Sequence, residues 1–135
     1  MAHEYLFIDT SAFYSFFDKS DKNHQRISQL INDRTETFIT SNFIVDELVT
    51  LLRVRHFEVA QIESYIEAIL QEDICQLLRV SPETESKAWT MLKKYKDVTF
   101  SYTDCTSFIL MKEHKIKKAL SLDEHFVIAG FELVS

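Results

Sequence analysis

Tyr5-Leu6-Phe7-Ile8-Asp9-Thr10-Ser11-Ala12-Phe13 is the stretch on which the fold turns. Its apolar run from Tyr5 to Ile8 predicts a short buried strand, closed by Asp9. Thr10 to Phe17 continues without Gly or Pro and predicts the start of a helix. The same alternation repeats outward. A helix is expected from Asp21, with His24, Ile27, Leu30 and Ile31 on one face, followed by a strand over Thr37-Phe38-Ile39-Thr40. Asn42 is the expected cap of a helix running to about Arg55. A further helix from about Val59 to Gln71 carries Ile62, Tyr65, Ile66 and Ile69 on its apolar stripe. Cys75 to Val80 predicts a third strand, stopped by Ser81-Pro82. Glu83 to Tyr95 then reads as a helix with Ala88, Met91, Leu92 and Tyr95 facing inward. Thr103 is the expected cap of a helix from Asp104 to about His114. Lys118 to Leu122 reads as a fourth strand ending at Asp123, and Phe131 to Val134 as a short last one. Strands alternating with helices predict an α/β fold with a mostly parallel sheet.

The bulk properties narrow the function classes. At 135 residues, with no linker, repeat or low-complexity tract, a single domain spanning 1–135 is expected. A chain that is 46% hydrophobic is too apolar for a disordered segment. No apolar run approaches the roughly 18 residues of a membrane span. The N-terminus lacks the basic start, apolar stretch and cleavage site of a secretory signal, so a cytoplasmic protein is expected. Cys75 and Cys105 lie far apart, form no metal-type spacing, and read as reduced thiols. The net charge of −6 argues against a passive nucleic-acid binder, which carries a basic footprint. An acidic chain still handles nucleic acid if some of its carboxylates gather cations that meet the phosphates.

Ligands of parallel α/β sheets bind beyond the carboxyl ends of the strands. Asp9 and Asp123 each follow a predicted strand directly, Asp104 opens a helix, and Glu47 lies in the first turns of another. At about 100° per residue, Glu47 shares a stripe with Phe43, Leu51 and Val54, whereas Asp46 falls with Asn42, Thr50 and Arg53. Glu47 is thus a carboxylate on the face expected to meet the core, where an unpaired charge is costly. Asp104 behaves alike, beside Ser107, Phe108 and Met111. Taken singly, each acid has an ordinary explanation. Asp9, Asp104 and Asp123 suit helix or turn caps, and Glu47 suits a partner Arg or Lys. Together they suit one site better than four unrelated caps. Converging carboxylates repel one another unless cations intervene, and hard divalent ions such as Mg²⁺ or Mn²⁺ are the natural ones. Such ions activate water and polarise phosphoryl oxygens. The histidines form no HxH or HExxH pattern and read as surface or core residues.

At these residues the chain resembles a PIN domain, and more narrowly the toxin ribonucleases of bacterial type II toxin–antitoxin pairs (the VapC-like subgroup). The matching segments are Phe7-Ile8-Asp9-Thr10-Ser11-Ala12-Phe13, Val45-Asp46-Glu47-Leu48, Tyr102-Thr103-Asp104-Cys105-Thr106-Ser107-Phe108 and Ala119-Leu120-Ser121-Leu122-Asp123-Glu124-His125-Phe126, followed by Gly130-Phe131. The resemblance covers nearly the whole chain, and no acid position departs from it. It implies a three-layer fold with a parallel five-stranded sheet flanked by helices. It also implies a Mg²⁺ or Mn²⁺ site made of Asp9, Glu47, Asp104 and Asp123, supported by Ser11 and Thr103. The implied activity is hydrolysis of RNA phosphodiesters to 5′-phosphate and 3′-hydroxyl ends, and the implied partner is a small antitoxin protein. A PIN-type nuclease working in RNA processing outside such a pair, or a non-catalytic binding module, are the alternatives.

Arg53, Arg55, Lys112, Lys115, Lys117 and Lys118 are candidate substrate contacts, although a solvated basic face explains each of them as well. Phe13, Tyr14, Phe16 and Phe17 cannot all point inward from one helix, so a homodimer or other partner interface is expected there. A haloacid-dehalogenase-type phosphatase needs a second acid where Ser11 stands. A receiver domain needs paired acids before Tyr5 and has no use for Asp104. Flap-type DNA nucleases share the acidic layout but need a longer chain.

Overall fold

The computed structural model describes residues 4–135. Residues 1–3, which entered the reading only as the start of a non-secretory N-terminus, lie outside the described residues. The chain runs β1 (Tyr5–Ile8), α1 (Thr10–Phe17), α2 (His24–Asp33), β2 (Thr37–Ser41), α3 (Asn42–Val54), α4 (Val59–Leu70), β3 (Gln76–Leu78), α5 (Pro82–Lys94), α6 (Tyr102–Glu113), β4 (Lys118–Leu120), α7 (His125–Ile128) and β5 (Glu132–Val134). The five strands form one sheet in the order β3-β2-β1-β4-β5, and every pairing is parallel. Parallel strands are covered on both faces and therefore read as continuous apolar runs. Leu6, Phe7 and Ile8 are accordingly all buried in the central strand. Among the described residues no helix is long and apolar enough to cross a membrane.

The strand order fixes where a site can form. The chain moves outward from β1 through β2 to β3, then returns to place β4 on the other side of β1. The sheet therefore reverses direction between β1 and β4, and the crevice beyond their carboxyl ends is where such folds bind ligands. The backbone N–H of Asp9 donates to the Leu120 carbonyl at 3.1 Å, which ties the ends of these two strands together.

Several boundaries differ from the sequence reading, and hydrogen bonds account for most of the shifted caps. Ser41, not Asn42, caps α3, its hydroxyl accepting from the Ile44 N–H. The Asn42 side chain instead accepts the Val80 N–H at 2.8 Å, which leaves β3 shorter than Cys75 to Val80. Ser101 caps α6 in a reciprocal capping box with Asp104, displacing Thr103 from that role. Asp21 precedes α2 as a turn residue, taking the Ser15 hydroxyl and the Asn23 N–H. β4 ends at Leu120, and α7 occupies a stretch to which the sequence reading assigned no element. Tyr95, expected in the core, is exposed at the end of α5.

With only one glycine in the chain, the helices need other ways to stop. α3, α4 and α6 end on His56, Glu72 and Lys115 in the left-handed region, whereas α7 uses Gly130. In each case the following N–H reaches back to close the last turn: Phe57 to Leu52, Asp73 to Ala68, Ile116 to Met111 and Phe131 to Phe126.

The aromatic run of α1 is absorbed inside the chain. Phe13 and Phe17 are buried, and Tyr14 and Phe16 are half-buried. Phe17 stacks on Tyr65 at 4.4 Å between centroids, and Tyr14 meets the edge of Phe57. Phe57 and Tyr65 thus cover part of the aromatic face of α1, from which a homodimer was expected, while Tyr14 and Phe16 stay half-buried. Cys75 and Cys105 are both buried and unpaired, as expected of reduced thiols.

Candidate active site

All four expected acids line one cleft of about 360 Å³, together with Thr10, Ser11, Leu51, Ser101 and His125. Each acid arrives on a different element. Asp9 caps α1 at the end of β1 without making a side-chain cap bond, which leaves its carboxylate free to face the crevice. Glu47 comes from α3, Asp104 from the first turn of α6, and Asp123 from the turn between β4 and α7. Asp9 is 6% exposed and Asp104 is 9% exposed.

Glu47 sits at the cleft for a reason slightly different from the expected one. The core stripe of α3 is Ile44, Leu48 and Leu52, while Val54 is exposed. Phe43, Glu47 and Leu51 form the flank of that stripe, so Glu47 is half-buried at the cleft wall. Asp46 is exposed, as its helical position predicts.

Hydroxyls hold the carboxylates in place. Ser121 donates to Asp9 Oδ2 at 2.8 Å, and Ser11 donates to the same oxygen at 3.2 Å. Ser11 also accepts the Leu122 N–H, and Ser121 accepts the Asp123 N–H, both at 3.0 Å. The two serines therefore stitch the β1 end to the β4 end. Thr10 donates to Glu47. The Asp104 carboxylate accepts the Ser101 N–H at 3.0 Å. Ser11 therefore lies in the cleft within hydrogen-bonding reach of Asp9, whereas Thr103 lies outside the cleft lining and its carbonyl accepts from the Thr106 hydroxyl.

His125 is the residue sequence reasoning missed. Its Nδ1 lies 3.1 Å from Asp104 Oδ2 and 3.4 Å from Asp123 Oδ1, and its backbone N–H donates to Asp123 at 2.9 Å. Thr99 contacts Nε2 at 3.3 Å, and the ring meets Phe100 edge-on at 5.2 Å, so its orientation is fixed. Asp104, Asp123 and His125 each offer a ligand atom within 4.8 Å of the others. The Asp123-x-His125 spacing was the available signal, but it points at one site only because α7 begins there.

The electrostatics match a cation site. No Lys or Arg lines the cleft. Burial pushes the Asp9 carboxyl up to about 6, against the hydrogen bonds from Ser121 and the Thr10 backbone, with the charges of Asp104 and Glu47 adding to the rise. Glu47 is also raised, first by burial and then by Asp104 and Asp123, with the Thr10 bond opposing. A donor set of carboxylate oxygens with one imidazole nitrogen, carrying uncompensated negative charge, fits a hard divalent ion.

The basic candidates lie elsewhere. Lys118 pairs with Glu4 at 3.4 Å and Glu36 at 3.6 Å at the amino end of β4. Lys112, Lys115 and Lys117 belong to the same end of the sheet, opposite the cleft. Arg53 is exposed near the end of α3, and Arg55 lies 5.5 Å over the Tyr14 ring.

Carboxylates from four parts of the chain thus converge on a crevice at the β1/β4 switch point of an α/β sheet, with no Lys or Arg among its lining residues, an arrangement that could hold a divalent metal ion. The chain belongs to the PIN domain family, whose model matches residues 6–132. The 23S rRNA-specific endonuclease VapC20 of Mycobacterium tuberculosis is 29% identical over 126 residues, covering 93% of this chain and 95% of that protein. A VapC ribonuclease of Archaeoglobus fulgidus is 28% identical over 125 residues, covering 88% and 77% respectively. The crystal structure of VapC20, described as a sarcin-ricin loop cleaving toxin, superposes with a TM-score of 0.86 over 93% of this chain and 95% of that one. VapBC2 of Rickettsia felis, solved on a DNA fragment from its promoter, shares the fold at a TM-score of 0.68 and 12% identity, over 96% of each chain.

Proposed function

We propose that the protein is a Mg²⁺- or Mn²⁺-dependent endoribonuclease, the toxin of a type II toxin–antitoxin pair, acting through Asp9, Glu47, Asp104 and Asp123. The observation that carries this reading is the convergence of these four carboxylates on one cation-free cleft, in a chain whose relatives are VapC ribonucleases. Asp9, Glu47, Asp104 and Asp123 would hold the metal, with His125 Nδ1 within ligand reach of Asp104 and Asp123. When bound, the ion would supply activated water and stabilise the charge developing on the phosphate.

The chain's own residues perform the rest. Ser121 and Ser11 fix Asp9 through one carboxylate oxygen. Ser101 and His125 fix Asp104, and the His125 backbone orients Asp123. Thr10, next to Asp9, steadies Glu47. Pre-set ligands of this kind cost no reorganisation as charge develops on the phosphate. Capture by a small antitoxin, the arrangement of toxin–antitoxin complexes that share this fold, is part of the proposal.

The test is cleavage of total cellular RNA by purified protein with Mg²⁺, with chelator, and with Asp9→Asn and Asp104→Asn. Cleavage by the wild type alone, and only with metal, is expected. Cleavage that survives chelator or either substitution overturns the assignment.

A further inference from the structure

We propose that Phe43, Tyr102 and Trp89 form a stacking platform for unpaired nucleobases beside the carboxylate cleft. The inference rests on the ribonuclease reading and names how such a substrate is held. Phe43 lies one turn before Glu47 on α3, and Tyr102 follows Ser101 directly, so two of the rings border residues that wall the cleft. The Phe43 and Tyr102 rings meet edge to face at 6.0 Å, and Tyr102 and Trp89 do so at 6.4 Å. The three rings thus lead outward from the cleft wall to α5.

The outer rings are not used by the core. Trp89 is the chain's one tryptophan, and it is 54% exposed; Tyr102 is 36% exposed. Tyr102 is anchored at its hydroxyl, which donates to the Glu85 carbonyl, and this holds the ring in place. Lys93, one turn beyond Trp89, holds its ammonium over one face of the indole, 6.0 Å from the ring centroid, and no carboxylate pairs with it among the described residues. An indole face beside a free cation suits a base and its phosphate.

Area decides against a second protein. Neighbouring outward positions of α5, such as Glu83, Ser86, Lys87 and Thr90, are polar. The exposed ring surface comes to roughly 200 Å², taking about 150–250 Å² for a whole aromatic side chain. A stable dimer needs about 800 Å² from each partner. One or two bases need no more than the rings offer, and stacking is sequence-tolerant. It also supplies affinity that a chain of net charge −6 does not obtain from a basic footprint.

Trp89 makes the test direct, because intrinsic tryptophan fluorescence reports this position alone. A short single-stranded oligoadenylate is titrated into Asp9→Asn protein, with binding followed independently by anisotropy of a labelled oligonucleotide. Quenching that tracks binding is expected, together with a rise of about tenfold in KM for single-stranded RNA in Trp89→Ala. The rise should come with unchanged kcat and thermal stability, and should be largely rescued by Trp89→Phe. Binding without quenching, or an unchanged KM in Trp89→Ala, overturns the platform while leaving the ribonuclease standing. A shift of oligomeric state on Trp89→Ala in sedimentation overturns it in favour of a contact between copies. If the wild type cleaves no RNA, the functional reading beneath it fails instead.

Discussion

Replacing Asp9 by Asn should abolish cleavage and at the same time stabilise the metal-free protein. Burial lifts the Asp9 carboxyl from its ordinary 3.8 to about 6. The folded chain therefore holds the proton more tightly than the unfolded one. Stability is fully present below the unfolded value and is lost as pH rises through the folded value. At about 1.4 kcal/mol per pH unit, ionised Asp9 costs the metal-free fold about 3 kcal/mol at neutral pH. Asn keeps an oxygen for the Ser121 and Ser11 hydroxyls but adds an amide needing its own partner, so a net gain of about 2 kcal/mol is expected. In a chain of this size that raises Tm by about 5 °C. Urea and thermal unfolding are measured in chelator between pH 4 and 7.5. The wild type should lose stability relative to Asp9→Asn between pH 4 and 6, and Mg²⁺ should restore it in the wild type only. If Asp9→Asn is the less stable protein at pH 7 in chelator, the reasoning about buried, uncompensated charge is wrong.

Three further outcomes are expected. His125→Ala should raise the Mg²⁺ concentration for half-maximal cleavage about tenfold, because Asp104 loses the side chain that orients it; an unchanged metal titration would remove His125 from the site. Glu36 is held down at about 2, chiefly by its hydrogen bonds from Arg34, and its side chain is almost wholly buried. A depressed carboxyl stabilises above its unfolded value and loses that contribution as pH falls toward the folded one. Glu36→Gln should therefore cost about 1–2 kcal/mol at pH 7, after allowing for solvent screening, with the gap closing by about pH 2. Equal destabilisation at both ends of that range, read from urea curves, would contradict it. Lys115→Gly should stabilise by about 0.5–1 kcal/mol, since glycine adopts the left-handed end of α6 without strain; a lower unfolding midpoint would show that the lysine side chain contributes more than the backbone.

What the sequence alone determined lies in features written along the chain at short range. Tyr5 to Ile8 is apolar at every position because a central parallel strand is buried on both faces. That run, with its repeats, sufficed for the fold class and for Asp9 at a strand end. Helical periodicity separated Glu47 from Asp46, although it assigned Glu47 to the core stripe and not to its flank. Motif resemblance supplied the acids as a set. Tertiary structure decided the rest, because the partners come together through space. Ser121 reaches Asp9 across 112 positions, and Ser11 accepts from Leu122 across 111. These contacts follow from β4 returning beside β1, which no local pattern encodes. Asn42 binds Val80 in place of capping its own helix, for the same kind of reason. His125 joined the site only because α7 turns its ring onto Asp104. Two of the α1 aromatics, Tyr14 and Phe17, found partners inside the chain in Phe57 and Tyr65. The acids were legible because their positions follow strand and helix ends; what holds them was not, because hydrogen bonds between distant segments exist only once the sheet has formed.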